Sequence, residues 1–255
     1  MSETNGVRRG AKRVGGMMKA QVTLFIMLGM VLLVLSAIVF YIVDLTSQKV
    51  FVRPVEPSSA EQLVEQCLGL LADDALLAIG KHGGYAELGV NYFEPLKTSY
   101  LYDAGVNNAP DAATVEQQLS EYIDAHIMNC LGNFELLRDK GIEVIEKAQP
   151  RTTTIIAGNS VRFTIDYKIE EKKGDMITTP EFLPTMKAVR LAEILQLAND
   201  IVASEQKNNN LFDLDVECGL EVTHFPVEKT LVTVISDTNF LIQDSPYRFV
   251  FAHKR

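Results

Sequence analysis

The hydrophobic positions of this chain follow three different patterns. Residues 22–43 form one apolar run that contains no charged residue. Three later stretches repeat apolar residues every three or four positions, which is typical of amphipathic helices, and several short stretches alternate apolar and polar residues, as half-buried strands do. Together these patterns predict one membrane-spanning helix followed by a domain of the α+β class.

The apolar run is long enough to cross a bilayer. Its 22 residues, at about 1.5 Å of rise each, give a helix of roughly 33 Å, which matches a hydrocarbon core of about 30 Å. Residues 1–21 contain five basic residues and one acidic residue. Because positive flanks stay in the cytoplasm, we expect residues 44–255 to lie outside it. A cleaved secretory signal fits less well, since its apolar stretch is about 7–15 residues long and small residues follow it.

The chain therefore divides into four predicted parts. They are a basic cytoplasmic tail or leader (residues 1–21), the transmembrane helix (22–43), a linker that contains proline and serine (44–58) and an extracytoplasmic α+β domain (59–255). The linker ends at a helix N-cap, Ser58 or Ser59, because Glu61 or Gln62 follows at the spacing of a capping box.

Three amphipathic helices are predicted in the domain. The first ends near Gly80, the second ends at Gly132 or Gly141, and the third covers about residues 184–206. Their apolar stripes are Leu63, Val64, Cys67, Leu68, Leu71, Ala75 and Ile79, then Val115, Leu119, Tyr122, Ile123, Ile127, Cys130 and Leu131, and then Met186, Val189, Leu191, Ile194, Leu195, Ala198, Ile201 and Val202.

The strand signals lie between and after these helices. Residues 161–169 alternate as one half-buried strand, and Gly158-Asn159 joins it to the preceding threonine-rich run as a hairpin. Residues 171–175 mark a turn, and three more strands are predicted at 214–222, 230–236 and 247–253. The expected architecture is an antiparallel sheet with helices packed on one face, and residues 85–110 are expected to be irregular with short strands.

The charge distribution argues against nucleic acid as a partner. Of a net charge of −9, residues 1–21 contribute +4, so the remaining residues carry −13. Such a domain repels phosphate backbones, and the chain has no basic stripe with interleaved aromatic residues. We interpret the negative charge as a solvated, soluble surface.

The chain has three cysteines, Cys67, Cys130 and Cys218. Their spacing does not match a structural zinc site. In an oxidising compartment, Cys67 and Cys130 are the candidates for a disulfide, and the alternative is three buried thiols.

Few residues suggest catalysis. His82 is either a base in a loop or, more simply, a helix-ending histidine favoured by the helix dipole. Asp124 and His126 lie two apart on a helix and share no face, although Tyr122 is within a turn of both. Three acidic residues share one strand face, and we interpret them as solvated: Asp213, Asp215 and Glu217. Two further histidines lie in strand patterns, and we interpret them as structural: His224 and His253. Motifs of serine hydrolases, zinc proteases and nucleotide-binding loops do not occur, so we expect no catalytic, cofactor or metal site.

One short pattern precedes the apolar run. Lys19 and Ala20 come directly before Gln21, and Thr23 follows two residues later. This resembles the signal of archaeal type IV pilin-like proteins, in which a peptidase cuts after a basic and a small residue and the apolar helix remains. The resemblance covers about residues 19–43 and implies processing between Ala20 and Gln21. The family usually carries glutamate at the fifth mature position, where this chain has Phe25, which favours a minor pilin-like subunit or a plain anchored protein over a major filament subunit.

The expected function follows from this topology. We expect a single-pass membrane protein of structural or interaction type, with the bilayer and envelope or filament proteins as partners. The layout also resembles that of single-pass membrane proteins of archaea, which implies no activity. The alternative is an anchored hydrolase that acts on envelope material.

Overall fold

The computed structural model describes residues 58–207 and 219–254, and these residues form an α+β fold. The predicted transmembrane helix, its basic flank and the linker up to residue 57 lie outside the described residues. The helices are α1 (Ala60–Lys81), α2 (Ala112–Leu131), α3 (Glu135–Arg138) and α4 (Leu191–Gln206), with a 3₁₀ turn at Gly132–Phe134. The strands are β1 (Tyr92–Phe93), β2 (Thr98–Asp103), β3 (Val106–Asn107), β4 (Ile142–Glu146), β5 (Arg151–Ala157), β6 (Ser160–Asp166), β7 (Ile169–Lys173), β8 (Met176–Thr178), β9 (Thr185–Ala188), β10 (Leu220–Val227), β11 (Thr230–Ile242) and β12 (Ser245–Lys254). Within the described ranges, no helix combines the length and apolar character needed to cross a bilayer.

Helices α1 and α2 form by the local rules that the sequence indicates. Ser59 caps α1, since its hydroxyl oxygen accepts a hydrogen bond from the N–H of Gln62 at 3.3 Å. Asp111 caps α2 in the same way through the N–H of Thr114. Gly132 ends α2 with a φ of 54°, a left-handed conformation that favours glycine. The predicted apolar stripe of α1 is buried along its whole length.

A disulfide joins the two helices, because Cys67 of α1 and Cys130 of α2 are bonded to each other across 63 residues of sequence. The buried faces of α1, α2 and α4 share one hydrophobic core with residues of the sheets.

The strands form three sheets instead of the single antiparallel sheet predicted. The largest has the order β1-β2-β12-β11-β10, with β3 paired to β2. Strands β12 and β2 are parallel in it, so this sheet is mixed. The other two, β4-β7-β8 and β5-β6-β9, are antiparallel. Periodicity reports which residues are buried but not which distant strands pair, so the number of sheets was not readable from the sequence.

Several predicted elements have different bounds because tertiary pairing overrides the local pattern. The strand predicted at 161–169 is two strands in different sheets, divided at Tyr167 and Lys168, where the carbonyl of Lys168 accepts from the N–H of Lys147. The helix predicted from residue 184 begins at Leu191, because Thr185–Ala188 pair with β6 as strand β9. The turn predicted at 171–175 is also shorter, since β7 continues to Lys173.

Candidate functional site

A groove of about 680 Å³ lies between helix α2 and the segment that follows α1. Aromatic, amide and carboxylate side chains line it together with a histidine. The principal lining residues are Tyr85, Glu87, Asn91, Tyr100, Gln118, Glu121, Tyr122 and His126. Concave surfaces of this size with a few polar groups are the usual place for a ligand or a partner segment to bind.

Tyr122 and His126 form the aromatic side of the groove. They are four residues apart on α2, and their rings stack with centroids 4.4 Å apart. Nδ1 of His126 lies 2.7 Å from the carbonyl oxygen of Tyr122. A carbonyl can only accept, so Nδ1 carries the hydrogen and Nε2 of the neutral ring is left as the acceptor. Partial burial, and secondarily the negative charge of Asp74, raise the pKa of the Tyr122 hydroxyl.

The opposite wall is a loop that three hydrogen bonds fix to α2, to the segment before α2 and to the end of α1. The N–H of Ala86 donates to Oε1 of Gln118 at 3.2 Å, and the hydroxyl of Tyr85 donates to the carbonyl of Asn108 at 2.8 Å. The third bond comes from Nδ1 of His82, the C-cap of α1, to the carbonyl of Ala86 at 3.1 Å. His82 therefore ends its helix and fastens the loop.

Gly84 is required where this loop leaves α1. Its φ is +96°, and a Cβ built there would lie 2.4 Å from Cγ of Pro110. A larger residue would clash with the segment that leads into α2 and would displace the loop wall of the groove.

The ionisable side chains of the groove favour cationic or neutral ligands. Glu87 and Glu121 are exposed at its rim, and none of the described residues that line it is lysine or arginine. The resulting field repels anions such as phosphates.

Asp124 does not contribute to the groove. Its Oδ1 accepts from the backbone N–H of Thr152 at 2.7 Å, so this side chain holds strand β5 against α2. This agrees with the sequence prediction that Asp124 and His126 occupy different faces. On α1, Asp73 pairs with Lys187 at 2.7 Å, and Asp74 accepts from Gln243.

The two strand histidines are brought together through a threonine. Thr233 Oγ1 lies 2.9 Å from Nδ1 of His224 and 2.8 Å from Nε2 of His253. Thr233 and His253 are fully buried, and a hydroxyl that has one hydrogen donates to one ring and accepts from the other. The sequence showed two strand histidines but not that β10 and β12 flank the same strand.

The sequence also gave no sign of a buried ion pair at the start of α4. Arg190 donates through Nε and one terminal nitrogen to the two carboxylate oxygens of Asp237, at 2.9 and 2.8 Å. Asp237 is fully buried and also accepts from the N–H of Asn239. The pair joins the N-terminus of α4 to strand β11.

The remaining candidate residues divide between the described and undescribed parts of the chain. Asp213, Asp215, Glu217 and Cys218 lie outside the described residues, as do Lys19, Ala20 and Gln21. Among the described residues, no group of three or more histidine, cysteine or acidic side chains has the arrangement of a metal site.

Part of the groove was within reach of sequence reasoning. Gln118, Tyr122, Ala125 and His126 follow one helix face by their spacing of three and four residues. The loop wall could not be predicted, because the apolar residues of segment 85–91 follow neither a helical nor a strand periodicity.

Comparison of the whole chain with protein families, with curated proteins and with solved structures finds no match.

Proposed function

We propose that this chain is a single-pass membrane protein whose α+β domain lies outside the cytoplasm and acts by binding a partner in the cell envelope. One observation carries the location. Cys67 and Cys130 are joined in a disulfide that links the two longest helices of the described domain. Structural disulfides persist in oxidising compartments and are rare in the cytosol.

The sequence before the domain supports the same location independently. Residues 22–43 have the length and apolar character of a spanning helix, and the five basic residues before them favour a cytoplasmic N-terminus. A helix in this orientation delivers residue 44 and everything after it to the side where cysteines are oxidised.

The groove beside α2 is the binding surface in this proposal. Its loop wall is fixed by hydrogen bonds from His82, Tyr85 and Ala86, so the surface is formed before a partner arrives. A binding surface that is already ordered loses less conformational entropy when the partner binds, so more of the interaction free energy contributes to affinity. The exposed carboxylates of Glu87 and Glu121 favour a partner with basic or neutral polar groups.

The signal-like residues support a more specific form of the proposal, a minor pilin-like subunit. Cleavage between Ala20 and Gln21 would remove the basic leader and leave the apolar helix to pack either in lipid or against other subunits. In that case, the intact mass of the native protein corresponds to a chain that starts at Gln21. A mass that begins at Met1 or Ser2 contradicts the pilin-like form and leaves the anchored protein.

A second function, an anchored hydrolase of envelope material, is favoured by the state of His126. Its Nε2 is the acceptor of the neutral ring in the groove, as a general base requires. Turnover of envelope polysaccharide or peptide by the purified protein, lost in His126→Gln and kept in the exposed-surface variant Glu135→Gln, would support the hydrolase. Equal turnover by both variants, or none by the wild type, would count against it.

The location is tested by the redox state of the cysteines in the cell. Intact cells are treated with acid and an alkylating reagent, and the protein is then analysed by mass before and after reduction. We expect Cys67 and Cys130 to escape alkylation until the protein is reduced. Alkylation of both without reduction would contradict a domain in an oxidising compartment.

A further inference from the structure

The groove beside α2 holds negative charge that the described residues do not compensate. Glu121 precedes Tyr122 on the helix and Glu87 lies on the loop wall, and both line the groove. Asp74 of α1 is close to it, because its charge adds to the effect of burial in raising the pKa of the Tyr122 hydroxyl. Within the described ranges, none of these three carboxylates forms an ion pair. A positively charged ligand would therefore gain interactions that the protein itself leaves open.

One basic side chain does contact the wall of the groove, but its charge is already paired. Nζ of Lys254 lies 5.7 Å from the centroid of the Tyr100 ring and 3.6 Å from Oδ1 of Asp103. A cation thus packs against a tyrosine ring at this edge of the groove, as the quadrupole of an aromatic ring favours. Lys254 balances Asp103 and forms no pair with the carboxylates near Tyr122.

Tyr122 and His126 offer the ring faces and the acceptor that a further cation needs. Their rings stack and line the groove, and both side chains are partly exposed. Nε2 of the neutral His126 ring is an acceptor, since Nδ1 donates to the carbonyl of Tyr122. Lysine and arginine side chains only donate hydrogen bonds, so an acceptor beside aromatic rings suits them.

The size of the groove indicates a chain segment rather than a single amine. Its volume of about 680 Å³ is in the range that holds a drug-sized molecule, and one basic side chain fills only part of it. Oε1 of Gln118 accepts from the N–H of Ala86, so the Gln118 amide nitrogen remains as a donor to a backbone carbonyl of a bound segment. Val90 of the loop wall is fully exposed and offers an apolar contact for a neighbouring side chain.

We propose that the groove binds an extended segment of a protein partner, with a lysine or arginine side chain of that segment against the rings of Tyr122 and His126 and near the carboxylates of Glu87 and Glu121. The inference rests on the proposed binding role of the groove and specifies the chemistry of its partner. Residues 44–255 carry a net charge of −13, which also attracts a basic segment from a distance.

Selection from a peptide library tests the chemistry directly. The full chain is immobilised in a neutral detergent and is offered pentapeptides of random sequence with blocked termini, and the bound peptides are identified by mass spectrometry. We expect lysine and arginine to be several-fold more frequent among the bound peptides than in the library. Glu87→Gln with Glu121→Gln should abolish most of this enrichment, because it removes the charges at the groove.

The matched control is Glu135→Gln with Glu181→Gln, which removes the same charge from two exposed carboxylates outside the groove lining. All four side chains are exposed, so neither double variant disturbs the core. Equal enrichment by the two double variants would mean that the net charge of the domain attracts the peptides, and it would overturn the site. Preference for neutral or acidic peptides, or no preference, would overturn it as well.

A photo-crosslinking residue in intact cells separates this inference from the proposed function. Ala125 is exposed and lines the groove, and Ala113 is exposed on the same helix outside the lining. We expect an adduct with an envelope protein at position 125 and none at 113, and we expect its loss in Glu87→Gln with Glu121→Gln. An adduct that persists in this variant overturns the basic side chain and leaves the groove as a binding surface. Absence of an adduct at position 125 overturns the groove as a binding surface, and with it the proposed binding function.

Discussion

Asp124 of helix α2 accepts a hydrogen bond from the backbone N–H of Thr152 in strand β5, and this bond is one rung of a ladder along the edge of a sheet. Two further rungs join Ser120 to the N–H of Thr154 and Glu116 to the N–H of Ile156, at 3.1 and 2.7 Å. Four residues of helix and two residues of strand both advance by roughly 6–7 Å, so the elements stay in register. The helix thereby satisfies the N–H groups that an edge strand would otherwise offer to another chain.

Removal of one rung should destabilise the domain. Asp124→Ala leaves the N–H of Thr152 without its acceptor, and the cost of such an unsatisfied group is about 1–3 kcal/mol. We expect this loss in the free energy of unfolding of the detergent-solubilised protein, measured by circular dichroism in denaturant. Gln117→Ala is the control, since it removes only an exposed contact with Glu121 on the same helix. Equal stability of the two variants would show that the ladder contributes nothing.

The ladder also illustrates what the sequence could predict. The spacing along α2 separates Asp124 from His126 correctly, because helix geometry is local. The partner of Asp124 lies 28 residues further along the chain in a strand, and no local pattern encodes that pairing. The same limit explains β9, whose residues fitted the apolar stripe of a helix until pairing with β6 decided their conformation.

The buried pair of Arg190 and Asp237 leads to a second stability prediction. Asp237→Asn should cost about 3–5 kcal/mol, because it leaves the Arg190 guanidinium buried with its main counter-charge removed. The double variant Arg190→Met with Asp237→Leu should recover most of this loss, since it removes both charges. Thermal unfolding of the three proteins measures the effect. A double variant as unstable as the single one would indicate that the pair contributes more than charge balance.

Alkaline pH should destabilise the domain through its buried tyrosines. Burial raises the pKa of the Tyr247 hydroxyl. The pKa of the Tyr167 hydroxyl is raised mainly by burial and to a smaller extent by a hydrogen bond with Glu146. In the unfolded chain these hydroxyls lose their protons near pH 10. The folded state retains these protons to higher pH. The two tyrosines therefore contribute their full stabilisation below about pH 10, and the free energy of unfolding falls as the pH rises beyond it. Tyr247→Phe should make this fall less steep in denaturant titrations at several pH values. An unchanged slope would contradict the assignment to Tyr247.

His126 should occupy a specific tautomer. Because Nδ1 donates to the carbonyl of Tyr122, the neutral ring should carry its hydrogen on Nδ1, and nitrogen chemical shifts in a long-range proton–nitrogen spectrum distinguish this from the other form. His126→Ala identifies the signal by its disappearance. A hydrogen on Nε2 would remove the acceptor that the candidate hydrolase needs and would weaken that alternative.

Protease accessibility decides whether the α+β domain of the anchored chain lies outside the cytoplasm. Intact cells are exposed to a protease that cannot enter them, with a cytoplasmic protein as the control for lysis. If the domain lies outside the cytoplasm, an epitope at the C-terminus of the chain is lost from intact cells while the cytoplasmic control remains whole. Survival of the epitope in intact cells, with its loss only after lysis, would place the domain in the cytoplasm and rule out this topology.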